Sequence, residues 1–127
     1  MLADRRDLRA ANLTLSVIVS GHMNAARMNH LRQVLEQDPK NTFARYALGM
    51  ELVSNGETDE AVANFRTLLE VDANYVNAWF MGAQALHNAA RTPEAIEWLH
   101  QGIATATRTG NRHAQSEMQS MLEELEG

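Results

Sequence analysis

Apolar positions along this chain fall into stripes with a helical period. From Thr58 onward, Val62, Phe65, Leu68 and Leu69 recur at three- and four-residue intervals, which places them on one face of an α-helix. Turn signals separate the stripes: Asn55-Gly56 ends one helix just before Thr58 opens the next. The pattern predicts helices over about 41–54, 58–71, 75–89, 92–107 and 111–125. Thr58 and Thr92 are expected as N-cap residues, their hydroxyls accepting from free first-turn amides. Asp59-Glu60 and Pro93-Glu94 follow, matching acid to the positive end of the helix dipole and proline to the first turn.

The stripes themselves repeat every 34 residues. Ala61 and Ala95 stand one step apart, in the triplets Glu60-Ala61-Val62 and Glu94-Ala95-Ile96. The same step relates Gly49 to Ala83, Leu52 to Leu86, Tyr46 to Phe80 and Thr58 to Thr92. It also links Leu31, Phe65 and Leu99, and again Leu35, Leu69 and Ile103. Gly49 and Ala83 are expected to let the second helix of each pair approach the first closely, with Ala61 and Ala95 as the matching small surface.

This arrangement resembles the tetratricopeptide repeat family, whose units are helix–turn–helix pairs. The resemblance covers Thr42–Tyr75 and Val76–Thr109 as two repeats, with Asn24–Asn41 as a second-helix half-repeat before them. It implies an all-α fold of antiparallel helix pairs stacked as a short right-handed α-solenoid. A repeat cannot bury its apolar face alone, so capping helices are expected at 24–37 and 111–125. In the last helix, Ala114, Met118, Met121, Leu122 and Leu125 are expected to face inward, and Glu117, Glu123, Glu124 and Glu126 outward. Three departures stand out. The family's first-helix tryptophan is present as Trp79 but replaced by Arg45 in the other repeat. Its closing proline, present as Pro39, gives way to Ala73 and Thr107. Gly82 stands where a leucine is usual, and is expected to loosen the second repeat.

Residues 1–23 read as an N-terminal arm to a domain spanning 24–127. Carrying the period backwards puts Leu15 where Gly49 stands and Arg27 where Ala61 stands, both too large for the close contact. Leu13, Leu15, Val17 and Val19 alternate with a strand-like period. A degenerate helix, a disordered arm, and sequence upstream of a natural start at Met23 or Met28 all fit this segment. Arg5, Arg6 and Arg9 before a short apolar stretch look like a secretory leader, but Asp4 and Asp7 and the missing cleavage motif argue against one.

Composition narrows the chemistry. The 127 residues contain no cysteine, which excludes disulfides, thiolate zinc sites and cysteine nucleophiles. The longest apolar stretch falls far short of the roughly 20 residues needed to span a bilayer. A cytoplasmic protein without a membrane role is expected. Residues 28–127 carry seven basic and fourteen acidic side chains, a net of −7, which repels nucleic-acid backbones. The terminal acidic run also reads simply as a solvated helix face. No metalloprotease, phosphate-loop or nucleophile-elbow motif is present. His87, His100 and His113 are 13 apart and lack an i, i+4 histidine partner. The expectation is a non-enzymatic domain without metal or cofactor.

In the family, first helices line a concave surface that takes peptides or helices. Carried over position by position, the partner-binding groove is expected to comprise Phe43, Tyr46, Ala47, Met50 and Val53, then Asn77, Phe80, Met81, Gln84 and His87. The last helix would add Asn111, Ala114, Gln115 and Met118. Methionines and aromatics suit adaptable apolar contacts, although any one of them also fits as packing between helices. Heat-shock chaperone adaptors of this family clamp a terminal carboxylate with basic residues. Here Tyr46, Met50 and Met81 occupy those places, and Lys40 is the sole lysine. Two functions follow: an interaction module for a partner's protein or peptide segment, or a self-associating scaffold whose groove or end helix is filled by another copy, including its Leu13–Val19.

Overall fold

The computed structural model describes residues 25–127. They form six helices: α1 (25–37), α2 (Thr42–Ser54), α3 (Thr58–Val71), α4 (Val76–Asn88), α5 (Thr92–Thr109) and α6 (Arg112–Glu126). The expected arm at 1–23, with its helix-or-strand ambiguity, lies outside the described residues. Each helix from α2 onward packs chiefly on its neighbour in sequence, while α2 and α6 each touch α4 only sparingly. This is a stack of two-helix units, α2–α3 and α4–α5, with α1 before them and α6 after.

The helix starts are capped at residues other than the expected threonines. Thr58 and Thr92 already lie inside their helices, and the preceding Glu57 and Arg91 make no side-chain cap. Asparagines do that work at α2 and α6. Asn41 Oδ1 accepts from the Ala44 amide at 2.9 Å, and Asn111 Oδ1 from the Ala114 amide at 3.1 Å. At α5 the start is held by charge instead. The Arg91 guanidinium forks onto Glu94 at 2.9 and 2.8 Å and reaches Asp59 Oδ1 at 2.5 Å. One side chain thus ties the first turn of α5 to that of α3. Three of the turns use left-handed backbone: Gly56 after α2 and Gly110 after α5 supply it at φ 74°, and after α4 Ala90 adopts φ 61° at the repeat position of Gly56. An L-residue there costs about 1–2 kcal/mol.

The small-residue expectation holds, and the structure extends it. Ala61, Ala83 and Ala95 are fully buried among Leu52, Phe65, Leu68, Leu86 and Leu99. A side chain on Gly49 would run into the Phe65 ring. Gly82 does not loosen the second repeat, contrary to the sequence expectation. The Trp98 indole occupies the space its side chain would need, so the contact is filled. One repeat earlier, the same two positions hold Leu48 and Asn64. Bulk has moved from the first helix to the second, and the seam stays closed.

The aromatic departure is matched in the same way. Trp79 meets Trp98 edge-on, centroids 5.0 Å apart at 66°, and Arg66 lies over Trp98 at 5.2 Å. In the first repeat Arg45 and Asn64 replace the two tryptophans. Asn64 Nδ2 donates to the Arg45 carbonyl at 2.7 Å, while Arg45 Nη2 donates to the Pro39 carbonyl at 3.0 Å. A hydrogen-bonded pair thereby stands where the next repeat has an aromatic one.

At the leading end, Met28 and Leu35 of α1 are buried in the common core. Arg27, at the repeat position of Ala61, sits on the surface and pairs with Glu51 at 2.6 Å. Arg32 pairs with Glu60 at 2.6 Å, so α1 is tied to both α2 and α3.

Candidate functional site

First helices α2, α4 and α6 occupy equivalent places in successive units, and the cleft of interest lies between the last two. It encloses about 510 Å³ and is lined by Phe80, Gln84 and His87 from α4. The α6 wall contributes His113, Ser116, Glu117, Ser120, Met121, Glu124 and Leu125. The cleft exists because α6 is seated on α5 and meets α4 only lightly. Phe80, Met121 and Leu125 are half-buried, each with one side packed on the core and the remainder free. His113 Nε2 stands 3.0 Å from Glu117 Oε1, one turn along the helix.

Of the expected groove residues, the structure gathers Phe80, Gln84 and His87 into this cleft. Asn77 lines a second hollow of about 400 Å³ with Asp72, Asn74, Tyr75, Val76, Thr109 and Asn111. On α2, Phe43 is 78% exposed and Met50 37% exposed. Val53 and Met81 pack largely against the core, and Ala47 is half-buried. Tyr46 is engaged internally: its ring lies 5.3 Å from that of Tyr75 and 6.2 Å from that of Phe65. Burial raises the Tyr46 and Tyr75 hydroxyls above the ordinary tyrosine value, so both stay neutral at physiological pH.

On α6 the expected positions were displaced. Ala114 and Met118 are core residues, Asn111 is the helix cap, and Gln115 is half-buried outside the cleft. The cause is a register change. α5 has 18 residues where α3 has 14, and α6 begins at Arg112, two residues later than a 34-residue step from Val76 would place it. Counterparts of Asn77, Phe80, Met81 and Gln84 are therefore His113, Ser116, Glu117 and Ser120, all of which do line the cleft. The signal was available: 113, 116, 117, 120, 121, 124 and 125 form one stripe at three- and four-residue spacing.

Among the described residues no three His, Asp or Glu side chains converge as a metal site. No helix among them is long and apolar enough to cross a membrane. A stack of paired helices with an open cleft between first helices defines a helical-repeat module. The tetratricopeptide repeat profile matches residues 22–79. The solution structure of a tetratricopeptide repeat domain protein from Salinibacter ruber is 33% identical, with a TM-score of 0.65 over 71% of this chain and 91% of that one. A TPR repeat-containing protein of Pseudomonas aeruginosa is 27% identical over 96 residues, 76% of this chain and 91% of that one. The crystal structure of PcrH in complex with the chaperone binding region of PopD shares the fold at 16% identity, with a TM-score of 0.74 over 98% of this chain and 93% of that one.

The chain belongs to the tetratricopeptide repeat family. Proteins of this family are in general non-catalytic modules for protein–protein interaction.

Proposed function

We propose that this protein binds a segment of a partner protein along the face formed by α2, α4 and α6, centred on the α4–α6 cleft. The observation that carries the reading is the half-buried apolar floor of Phe80, Met121 and Leu125 at a site of about 510 Å³. Gln84, His87, His113, Ser116, Glu117, Ser120 and Glu124 surround that floor, and a concave site of this size that joins apolar surface to convergent polar groups is a common form of binding site. Phe43, Tyr46, Met50, Val53, Asn77 and Met81 then flank the centre rather than form it. The fold shared with PcrH supports the reading, since PcrH is seen with the chaperone binding region of PopD. The binding unit in this proposal is residues 24–127, acting in the cytoplasm without a cofactor.

A peptide-display selection against the full chain tests it. Enriched ligands should lose most of their affinity for Phe80→Ala, since apolar anchors dominate such contacts at roughly 2 kcal/mol or more each. Ligands that bind that variant as well as wild type would refute the site.

Exposure of Phe43 favours a second reading, in which α2 also meets another copy of the chain. Sedimentation of wild type beside Phe43→Ser distinguishes the two: a dimer that the substitution dissolves supports self-association.

A further inference from the structure

We infer that the α4–α6 cleft selects a cationic partner: a short extended segment with basic residues three positions apart and a large apolar residue between them. The inference rests on the proposed binding site and specifies the chemistry of its ligand. Glu117 and Glu124 are the only formally charged residues in the lining apart from two histidines, and no Lys or Arg is among them. They lie seven residues apart on α6, two helical turns, or roughly 10 Å along the axis. A chain in the extended polyproline II conformation covers about that distance in three residues at about 3.1 Å each, and its three residues per turn return positions i and i+3 to the same face. A segment laid along α6 would therefore bring successive same-face basic side chains to the two carboxylates. The apolar residue between them would turn toward Phe80 and Met121.

The lining also offers hydrogen-bonding capacity for a ligand backbone. The side chains of Gln84, Ser116 and Ser120 make no hydrogen bond among the described residues. Glu117 is already within 3.0 Å of His113 through one oxygen, which orients its carboxylate while leaving the other oxygen free. Arg112, the nearest cation in sequence, is outside the lining. Apart from Glu117 and Glu124, residues 28–127 carry a net −5, so a cationic segment is attracted at long range and an acidic one repelled.

The test uses the full chain, isotope-labelled for amide NMR, and three synthetic peptides: Gly-Arg-Ala-Leu-Arg-Gly, its Glu-for-Arg counterpart, and its Ser-for-Leu counterpart. The first should shift the amides of Gln84, Ser120 and Glu124 saturably, and the other two should bind far more weakly. Glu117→Gln with Glu124→Gln should weaken the first peptide about fivefold, the scale of two exposed ion pairs. Glu97→Gln with Glu123→Gln removes the same charge from exposed positions outside the cleft and should leave affinity unchanged. Glu117→Lys with Glu124→Lys should reverse the preference toward the acidic peptide.

Equal binding of the acidic peptide to wild type, or no saturable shift, overturns the inference. So does an equal loss in the Glu97 and Glu123 pair, which would assign the attraction to overall charge. A dimer dissolved by the Glu117 and Glu124 pair would make a second copy the occupant and replace the free cationic partner. If display instead enriches ligands that need Phe80 but carry no paired basic residues, the binding site stands and this inference alone falls.

Discussion

Trp98 rests on Gly82, with the indole filling the volume that a side chain at 82 would take. One repeat earlier, Asn64 faces the helix that carries Leu48 at the position equivalent to 82. The two seams are solved by exchanging a large residue for a small one across the helix pair. Gly82→Leu should therefore destabilise the protein by about 1–3 kcal/mol through overpacking. Trp98→Asn alone should cost about 3 kcal/mol or more, as a large aromatic lost from a core. Made together, they should cost at least about 1 kcal/mol less than the sum, because each relieves the other's defect. Urea unfolding of the four species measures the coupling, and strict additivity would show the positions to be independent.

Ala61 and Ala95 have no accessible surface, so a larger side chain at either must displace its buried neighbours. Ala61→Leu and Ala95→Leu should each lower stability by about 1–3 kcal/mol. Thermal melts followed by far-UV circular dichroism would register this as a clear drop in Tm. Unchanged midpoints in both would contradict the tight contact.

Ala90 carries a Cβ in backbone that glycine provides at the equivalent turn, Gly56. Ala90→Gly should stabilise the protein by about 0.5–1 kcal/mol, the relieved strain outweighing the added freedom of the unfolded chain. Gly56→Ala should destabilise it by a similar amount. Both are read from denaturant midpoints at unchanged m-value.

Cap substitutions separate the observed helix starts from the expected ones. Asn41→Ala and Asn111→Ala should each cost about 1 kcal/mol, since each leaves a first-turn amide without its acceptor. Thr58→Ala and Thr92→Ala should change stability by well under 0.5 kcal/mol, because neither hydroxyl caps a helix. Equilibrium unfolding of the four variants gives the comparison directly.

The Arg91 fork predicts a pH dependence. Hydrogen bonding to Arg91, chiefly, holds the Glu94 carboxyl below the usual glutamate range. A carboxylate depressed in the folded state stabilises at pH values above its unfolded pKa, and that contribution is lost as pH falls through the folded value. Wild type should therefore lose more stability than Glu94→Gln as the solution is acidified from pH 6 to below the ordinary glutamate range. Parallel curves for the two proteins across that interval would exclude the contribution.

Periodicity made most of the architecture legible, and the same periodicity caused the principal errors. Helix spans such as 58–71 followed directly from apolar spacing and turn residues, because those are local. The thirty-four-residue step drew attention to Thr58 and Thr92 as caps, whereas the true caps, Asn41 and Asn111, stand outside it, with Tyr75 at the position one step beyond Asn41. The compensation of Gly82 by Trp98 joins residues on different helices and becomes apparent only when they pack. For the cleft, Phe80, Gln84 and His87 were readable from α4. The α6 side was not reached by the period, because the longer α5 advances α6 by two residues, enough to turn another face toward α4.

The seat of α6 on α5 has a consequence for how this protein can change over time. At Gly102, Met118 and the Trp79 Cβ occupy the space a side chain would need, so α6 is anchored by residues on the side away from the cleft. Its cleft-facing stripe, Ser116, Glu117, Ser120 and Glu124, is exposed and contributes little to that anchor. On the proposed reading, recognition and folding draw on different sides of one helix. On that reading, substitutions on the first side would alter which ligands are accepted, while the second keeps the terminal helix in place. A module organised this way can acquire new partners without having to refold around them.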